Sequence, residues 1–259
     1  MRAGLFLPTL VGGLFLAGCA QEGPPPPPAG AIPPGQSIGS AVITGHAIFK
    51  GAIPQREEID MSSDAVCRAR GGGVAREDVI VGAGGSLQNV FVHVVSGLGG
   101  RVFAPPPEPV VLDQRGCSYH PHVFGIQANQ VLEIVNSDPT LHNIHSVPRD
   151  NKPFNVGMPA EGMRIRRFFA VPEAMVKLKC DLHNWMIAWS GVTDNPFFDV
   201  TGEPGTFAIK GLPAGVYVVE AWQEVFGIRR TAVTIGEAEK REIAFDFTPG
   251  SESPSSPSP

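Results

Sequence analysis

The strongest constraint on the fold is a rhythm of short apolar-alternating segments punctuated by turn residues. Runs such as Val42–Phe49, Val90–Val95, Val131–Asn136, Met175–Lys179, Val216–Trp222 and Arg229–Ile235 are separated by Gly, Pro, Asn and Asp clusters. Further candidate strands are Asp78–Val81, Pro109–Leu112, Val123–Ile126, Arg164–Phe169, Ala188–Val192, Thr206–Ile209 and Glu242–Phe247. Only a weak stretch near Gly236 to Glu242 holds a helical period, and nowhere does one last three turns. A chain of this kind is all-β, built of sandwiches.

The N-terminus carries an address. Arg2 is followed by an apolar run from Leu5 to Ala17, interrupted by Pro8 and by Gly12-Gly13. It is shorter than the roughly 20 residues needed to span a bilayer, and has the form of a secretory signal. It ends in Leu16-Ala17-Gly18-Cys19, which resembles the bacterial lipobox. That resemblance implies removal of residues 1–18, lipidation of Cys19, and a protein anchored to a membrane of the bacterial envelope, facing the periplasm or the exterior. Residues 19–40 include five consecutive prolines and should form an extended spacer. Residues 249–259 are Ser/Pro-rich and should be disordered. The formal net charge of −5, with no basic patch, excludes a nucleic-acid partner.

Cysteine arithmetic points next to metal chemistry. If Cys19 is acylated, Cys67, Cys117 and Cys180 remain. Two of them can pair in an oxidising compartment, which leaves one thiol that needs an occupant. Cys67 and Cys117 are the candidate disulfide. In Met175-Val-Lys-Leu-Lys-Cys180 the period of two places Val176, Leu178 and Cys180 on one apolar face, so Cys180 points inward at a strand end. A tight loop follows, Asp181-Leu-His183-Asn-Trp-Met186. Upstream, Asp138-Pro-Thr-Leu-His142-Asn143 follows the strand Val131–Asn136.

Cys-x2-His-x2-Met with an earlier His-Asn is similar to the ligand set of the cupredoxins, and in loop length it resembles amicyanin. The resemblance covers roughly Val90 to Val192. It implies a Greek-key sandwich with one type 1 copper held by His142, Cys180, His183 and Met186. It also implies that Asn143 pins the ligand loop, and that the protein exchanges single electrons with a redox partner protein. In that family the loop histidine reaches the surface through an apolar patch, which Leu182, Trp185 and Met186 would supply. A thiolate and two imidazoles with a weak axial thioether suit a blue-copper site, whereas structural zinc avoids a thioether ligand. His145, three residues after His142, faces the other side of an extended segment and is expected not to be a ligand. His120 and His122 form a further pair for which a second metal remains an option, and His46 and His93 are expected to be structural.

The C-terminal segment changes style. Gly202-Glu-Pro-Gly-Thr-Phe-Ala-Ile209 and Gly211-Leu-Pro-Ala-Gly-Val-Tyr-Val-Val-Glu-Ala-Trp222 resemble the carboxypeptidase-regulatory-like, transthyretin-like sandwich, a family grouped with carbohydrate-binding-like folds. The expected domains are therefore a copper domain with an N-terminal extension over 41–192 and a small sandwich over 193–248. The latter is expected to be a packing module, with carbohydrate a weaker partner. It shows no Ser/His/Asp or paired-carboxylate arrangement, so the chain is expected to be a carrier and not an enzyme. Copper trafficking would call for more Met and His than the six Met and seven His present, and a sugar-binding adhesin has no use for a full ligand set.

Overall fold

The computed structural model describes residues 23–69 and 74–250, and within them the chain is almost entirely β. The strands are β1 (Ala41–Phe49), β2 (Phe91–Ser96), β3 (Val110–Gln114), β4 (Tyr119–His120), β5 (Val123–Gln127), β6 (Leu132–Asn136), β7 (His142–Val147) and β8 (Asn155–Met158). They continue with β9 (Arg164–Arg167), β10 (Glu173–Lys179), β11 (Ile187–Thr193), β12 (Phe198–Val200), β13 (Thr206–Leu212), β14 (Gly215–Gln223), β15 (Gly227–Ile235) and β16 (Lys240–Phe247). One short helix, α1 (Ala65–Ala69), stands apart from the sheets. The proposed lipidation site Cys19 and residues 251–259 lie outside the described residues.

The strands form two sandwiches. In the first, a sheet ordered β4-β3-β6-β9 faces one ordered β5-β11-β10-β7-β8. Leu112, Ile126, Ile134, Ile144, Phe169 and Leu178 fill the space between them. The alternation read from the sequence is visible in β10, where Val176 and Leu178 are buried and Lys177 and Lys179 are not. Met175 takes a positive φ of 63°, and the register of β10 against β11 shifts between Glu173 and Val176. Such a bulge re-aims the following residues.

The second sandwich faces β13-β1-β16 against β12-β2-β14-β15, around Ile43, Val92, Phe207, Tyr217, Val219 and Phe247. The sheets therefore do not divide the chain near residue 193. β1 and β2, assigned by the sequence reading to a copper domain over 41–192, pair with C-terminal strands: β1 runs parallel to β16 and antiparallel to β13, and β2 is antiparallel to β14. The first sandwich is inserted between β2 and β12. The physical reason is that the apolar residues Ile43, Ala47 and Phe49 of β1 and Val92 and Val94 of β2 are buried in one core with those of the C-terminal strands. The expected spacer is also shorter than 19–40, because Ile32 bonds to the backbone of Val102 and Ala104, and Ile32 and Ile38 pack on the second core.

Asp78–Val81 is not a strand. Asp78 bonds to Arg76 and to its neighbour's amide, and only Val81 forms a bridge, to Leu87. The stretch near Gly236 is a turn leading into β16.

The sandwiches meet through aromatic rings seated on glycines. A Cβ at Gly191 of β11 would lie 2.4 Å from the Phe91 ring, and one at Gly125 of β5 would lie 2.3 Å from Phe198. Trp189 and Trp222 pack across the same junction with ring centroids 5.2 Å apart, and His122 bonds to Glu224 at 2.6 Å.

Candidate metal centre

Three strand ends of the first sandwich converge on a buried cluster. His142 opens β7, Cys180 follows the last residue of β10, and His183 and Met186 lie in the loop to β11. The loop is held tight by its own backbone: the Cys180 amide donates to the Met186 carbonyl (3.1 Å), and the Met186 amide to the His183 carbonyl (2.9 Å). Little conformational freedom is left in the segment that carries three of the four candidate ligands.

The two imidazoles present the same nitrogen inward. His142 Nδ1 and His183 Nδ1 are 3.0 Å apart, and Cys180 Sγ is 3.7 Å from His183 Nδ1. One donor atom from each of His142, Cys180 and His183 lies within 4.8 Å of the others. His142 and Cys180 are buried, His183 is 3% exposed and Met186 is 1% exposed. Two further groupings, Asp64/Cys67/His183 and Cys117/Asp138/His142, have the same spread, but their cysteines are spent in the Cys67–Cys117 disulfide. Cys180 is the free cysteine among the described residues.

The surroundings tune each donor. Burial disfavours the Cys180 thiolate, yet the bond from His142 and backbone contacts at Asn143, Leu182 and His183 outweigh it, and its pKa falls below the ordinary thiol value. Burial also works against a charged His142, but Asp138 and Cys180 overcome this and hold it up at about 9. Burial and the neighbouring His142 charge push His183 down, against the pull of Asp64. Three inward-facing donors, two imidazole nitrogens and one thiol sulfur, fit a soft, imidazole-accepting ion.

Asn143 fastens the site from one side. Its Oδ1 accepts from the Asp181 amide (2.7 Å) and lies 3.2 Å from Cys180 Sγ, while its Nδ2 donates to Asn155 and Asp181. Tyr119 donates its hydroxyl to the Asn143 carbonyl at 2.6 Å. His145 lies across the sheet from the cluster, with Nδ1 3.0 Å from the Asp181 carboxylate. His120 meets the Arg115 carbonyl, and His122 sits between the Ile187 carbonyl and Glu224. No metal-ligating grouping among the described residues includes either of these two. His46 pairs with Glu242 and His93 with Glu220.

Two supporting residues escaped the sequence reading. Asp138 is fully buried and accepts from the amides of Gly116 (2.9 Å) and Cys117 (2.7 Å) and from His142 Nε2 (3.0 Å). Its signal was available, an Asp four residues before a ligand-type His. Asp64 faces His183 Nε2 at 3.4 Å from a segment that nothing in the local sequence connects to the cluster. As a consequence His183 is not at the surface. Asp64, Cys67 and Trp185 cover its outer edge, and of the apolar patch expected from Leu182, Trp185 and Met186, Leu182 is 53% exposed and Trp185 half-buried, while Met186 is buried.

No family model matches the chain, and no curated protein does. Solved structures give partial likenesses. A Cu-containing nitrite reductase from Thermus scotoductus is 24% identical with a TM-score of 0.32, over 39% of this chain and 25% of that one. A purple cupredoxin from Nitrosopumilus maritimus is 22% identical with a TM-score of 0.28, over 32% of this chain and 99% of that one. A Cu(I) amicyanin mutant is 15% identical with a TM-score of 0.30, over 39% of this chain and 97% of that one. This chain spans about a quarter of the nitrite reductase, and at such scores the likenesses carry no argument about activity.

Proposed function

We propose that this chain is an exported, lipid-anchored type 1 copper protein that carries single electrons, with His142, Cys180, His183 and Met186 as ligands. The observation that carries the reading is the convergence of two imidazole Nδ1 atoms and one free, buried thiol, 3.0 and 3.7 Å apart, with the Nε2 of each imidazole facing a carboxylate. Copper held there would supply a one-electron couple between Cu(II) and Cu(I).

The chain's own contribution is rigidity. The Cys180–Met186 loop is closed by two backbone bonds, Asn143 ties it to β7, and Asp138 fixes His142 by its far nitrogen, leaving Nδ1 as the donor. Donors that do not have to move between charge states lower the reorganisation that accompanies electron transfer. The buried cluster also favours a resident ion over one passed on to other proteins, which sets the carrier reading above trafficking in the envelope. The second sandwich is read as a packing module that steadies the first through the Phe91 and Phe198 contacts.

The test is reconstitution of the soluble part with Cu(II), one equivalent, followed by its absorption spectrum. An intense visible thiolate-to-copper band, lost in Cys180→Ser and in His142→Ala but kept in His145→Ala, is expected. Bound Cu(II) with no such band would refute the ligand assignment. Fractionation of the full chain with and without Cys19→Ala tests the anchor, since the variant should leave the membrane or fail to mature.

A further inference from the structure

The described residues of the 57–76 segment, 57–69 and 74–76, belong to neither sandwich. They form a turn, α1 and a bridge between Glu58 and Ala75. The segment has a small core of its own, in which Met61 packs with Cys67, Cys117 and Trp185. It is fastened to the first sandwich by the Cys67–Cys117 disulfide, and the Trp185 indole donates to the Cys117 carbonyl at 3.0 Å.

This segment delivers a carboxylate to the outer edge of His183. Asp64 Oδ1 accepts from the amides of Val66 (2.8 Å) and Cys67 (2.9 Å), capping α1. Its Oδ2 faces His183 Nε2 and the Thr140 hydroxyl, each at 3.4 Å. Cys67 Sγ is 4.0 Å from the same Nε2. Asp64 cannot turn away from His183 without uncapping the helix, and the helix cannot leave while the disulfide is closed. The arrangement repeats, at longer range, what Asp138 does for His142. Both imidazoles thus turn Nδ1 to Cys180 and Nε2 to a carboxylate, although the two aspartates come from unrelated parts of the chain.

We propose that Asp64 is a positioning residue of the metal centre, holding His183 by Nε2 so that Nδ1 is its donor, and that the Cys67–Cys117 disulfide keeps it in place. The inference rests on the copper reading above. A carboxylate behind an imidazole fixes the tautomer and strengthens the donor nitrogen, which favours the more highly charged copper ion. Opening the disulfide frees the segment, so the thiol–disulfide state of Cys67 and Cys117 sets how strongly His183 donates.

Two measurements test this. In the metal-free protein, the ring ¹⁵N shifts of His183 should report a proton on Nε2, and Asp64→Asn should give mixed tautomers with an unchanged unfolding midpoint to within the loss of one cap. In the copper-loaded protein, Asp64→Asn should weaken Cu(II) relative to Cu(I) about tenfold, a rise in potential of about 59 mV for one electron. Asp64→Glu should recover most of both effects. Reducing the disulfide in the wild type should move the potential in the same direction, and should add nothing in Asp64→Asn. Wild-type tautomer and potential in Asp64→Asn would overturn the proposal. A wild type without the visible copper band would instead remove the electron-carrier reading, while the ¹⁵N measurement would still decide whether Asp64 sets the His183 tautomer.

Discussion

Replacing Asp138 with alanine should be among the most damaging single changes in the first sandwich, and the structure allows the size to be worked out. The side chain is fully buried, and it accepts from the Gly116 and Cys117 amides and from His142 Nε2. Alanine leaves three donors facing a small void. Each buried donor without a partner costs about 1–3 kcal/mol. Some relaxation and entry of water would recover part of this, so a loss of roughly 3–5 kcal/mol is expected, a large share of the stability of an ordinary domain. Asp138→Asn keeps the volume and one acceptor, and should cost clearly less. The assay is urea unfolding of the metal-free protein at neutral pH, comparing midpoints at constant slope. Copper affinity measured by competition should fall about 10- to 100-fold in either variant, since the imidazole loses its orienting carboxylate. If Asp138→Ala loses less than about 1 kcal/mol and binds copper as before, the buried carboxylate does not organise the site, and the reasoning fails.

Gly191→Ala should lose about 1–3 kcal/mol by overpacking against Phe91, because its Cβ would sit 2.4 Å from that ring; an unchanged thermal midpoint would show that the rings are not tightly seated. Replacing both Cys67 and Cys117 with serine removes a link spanning 50 residues, worth about 4 kcal/mol in the chain-entropy model, and denaturant unfolding with and without reductant measures it. His122 is pushed down by burial, but its bond and charge contact with Glu224 and the nearby Glu77 hold its pKa above the ordinary value. Its contribution is therefore fully present below about pH 6.5 and declines as pH rises through the folded value, so stability should fall on the alkaline side, and His122→Gln should flatten that slope. A chain ending at Val192 leaves β1 without β13 and β16, and β2 without β12 and β14. It should be insoluble or poorly folded, and a soluble product that binds copper like the full chain would argue that the second sandwich is dispensable.

Most strands were legible because side-chain direction in a strand depends only on position parity, a purely local property. The candidate ligand loop was legible for the same reason. Cys180, His183 and Met186 lie within seven residues, and inward aim at the end of β10 follows from Val176 and Leu178. β7 was harder, since His142, Asn143 and Ser146 are buried polar residues that interrupt the apolar alternation where the site needs them.

Alternation says which face a residue takes, but it does not say which strand lies alongside. That β1 joins β13 and β16, and that a whole sandwich is inserted between β2 and β12, was settled by which apolar faces remain to be covered once every strand has formed. The same limit applies at the site. Asp64 and His183 are separated by 119 residues, and no spacing rule links a helix cap to a distant imidazole. The sequence by itself determined the β character and a compact set of metal-seeking donors. The tertiary structure alone decided that His183 lies beneath a disulfide-tied segment, because burial and long-range pairing are properties of the assembled chain.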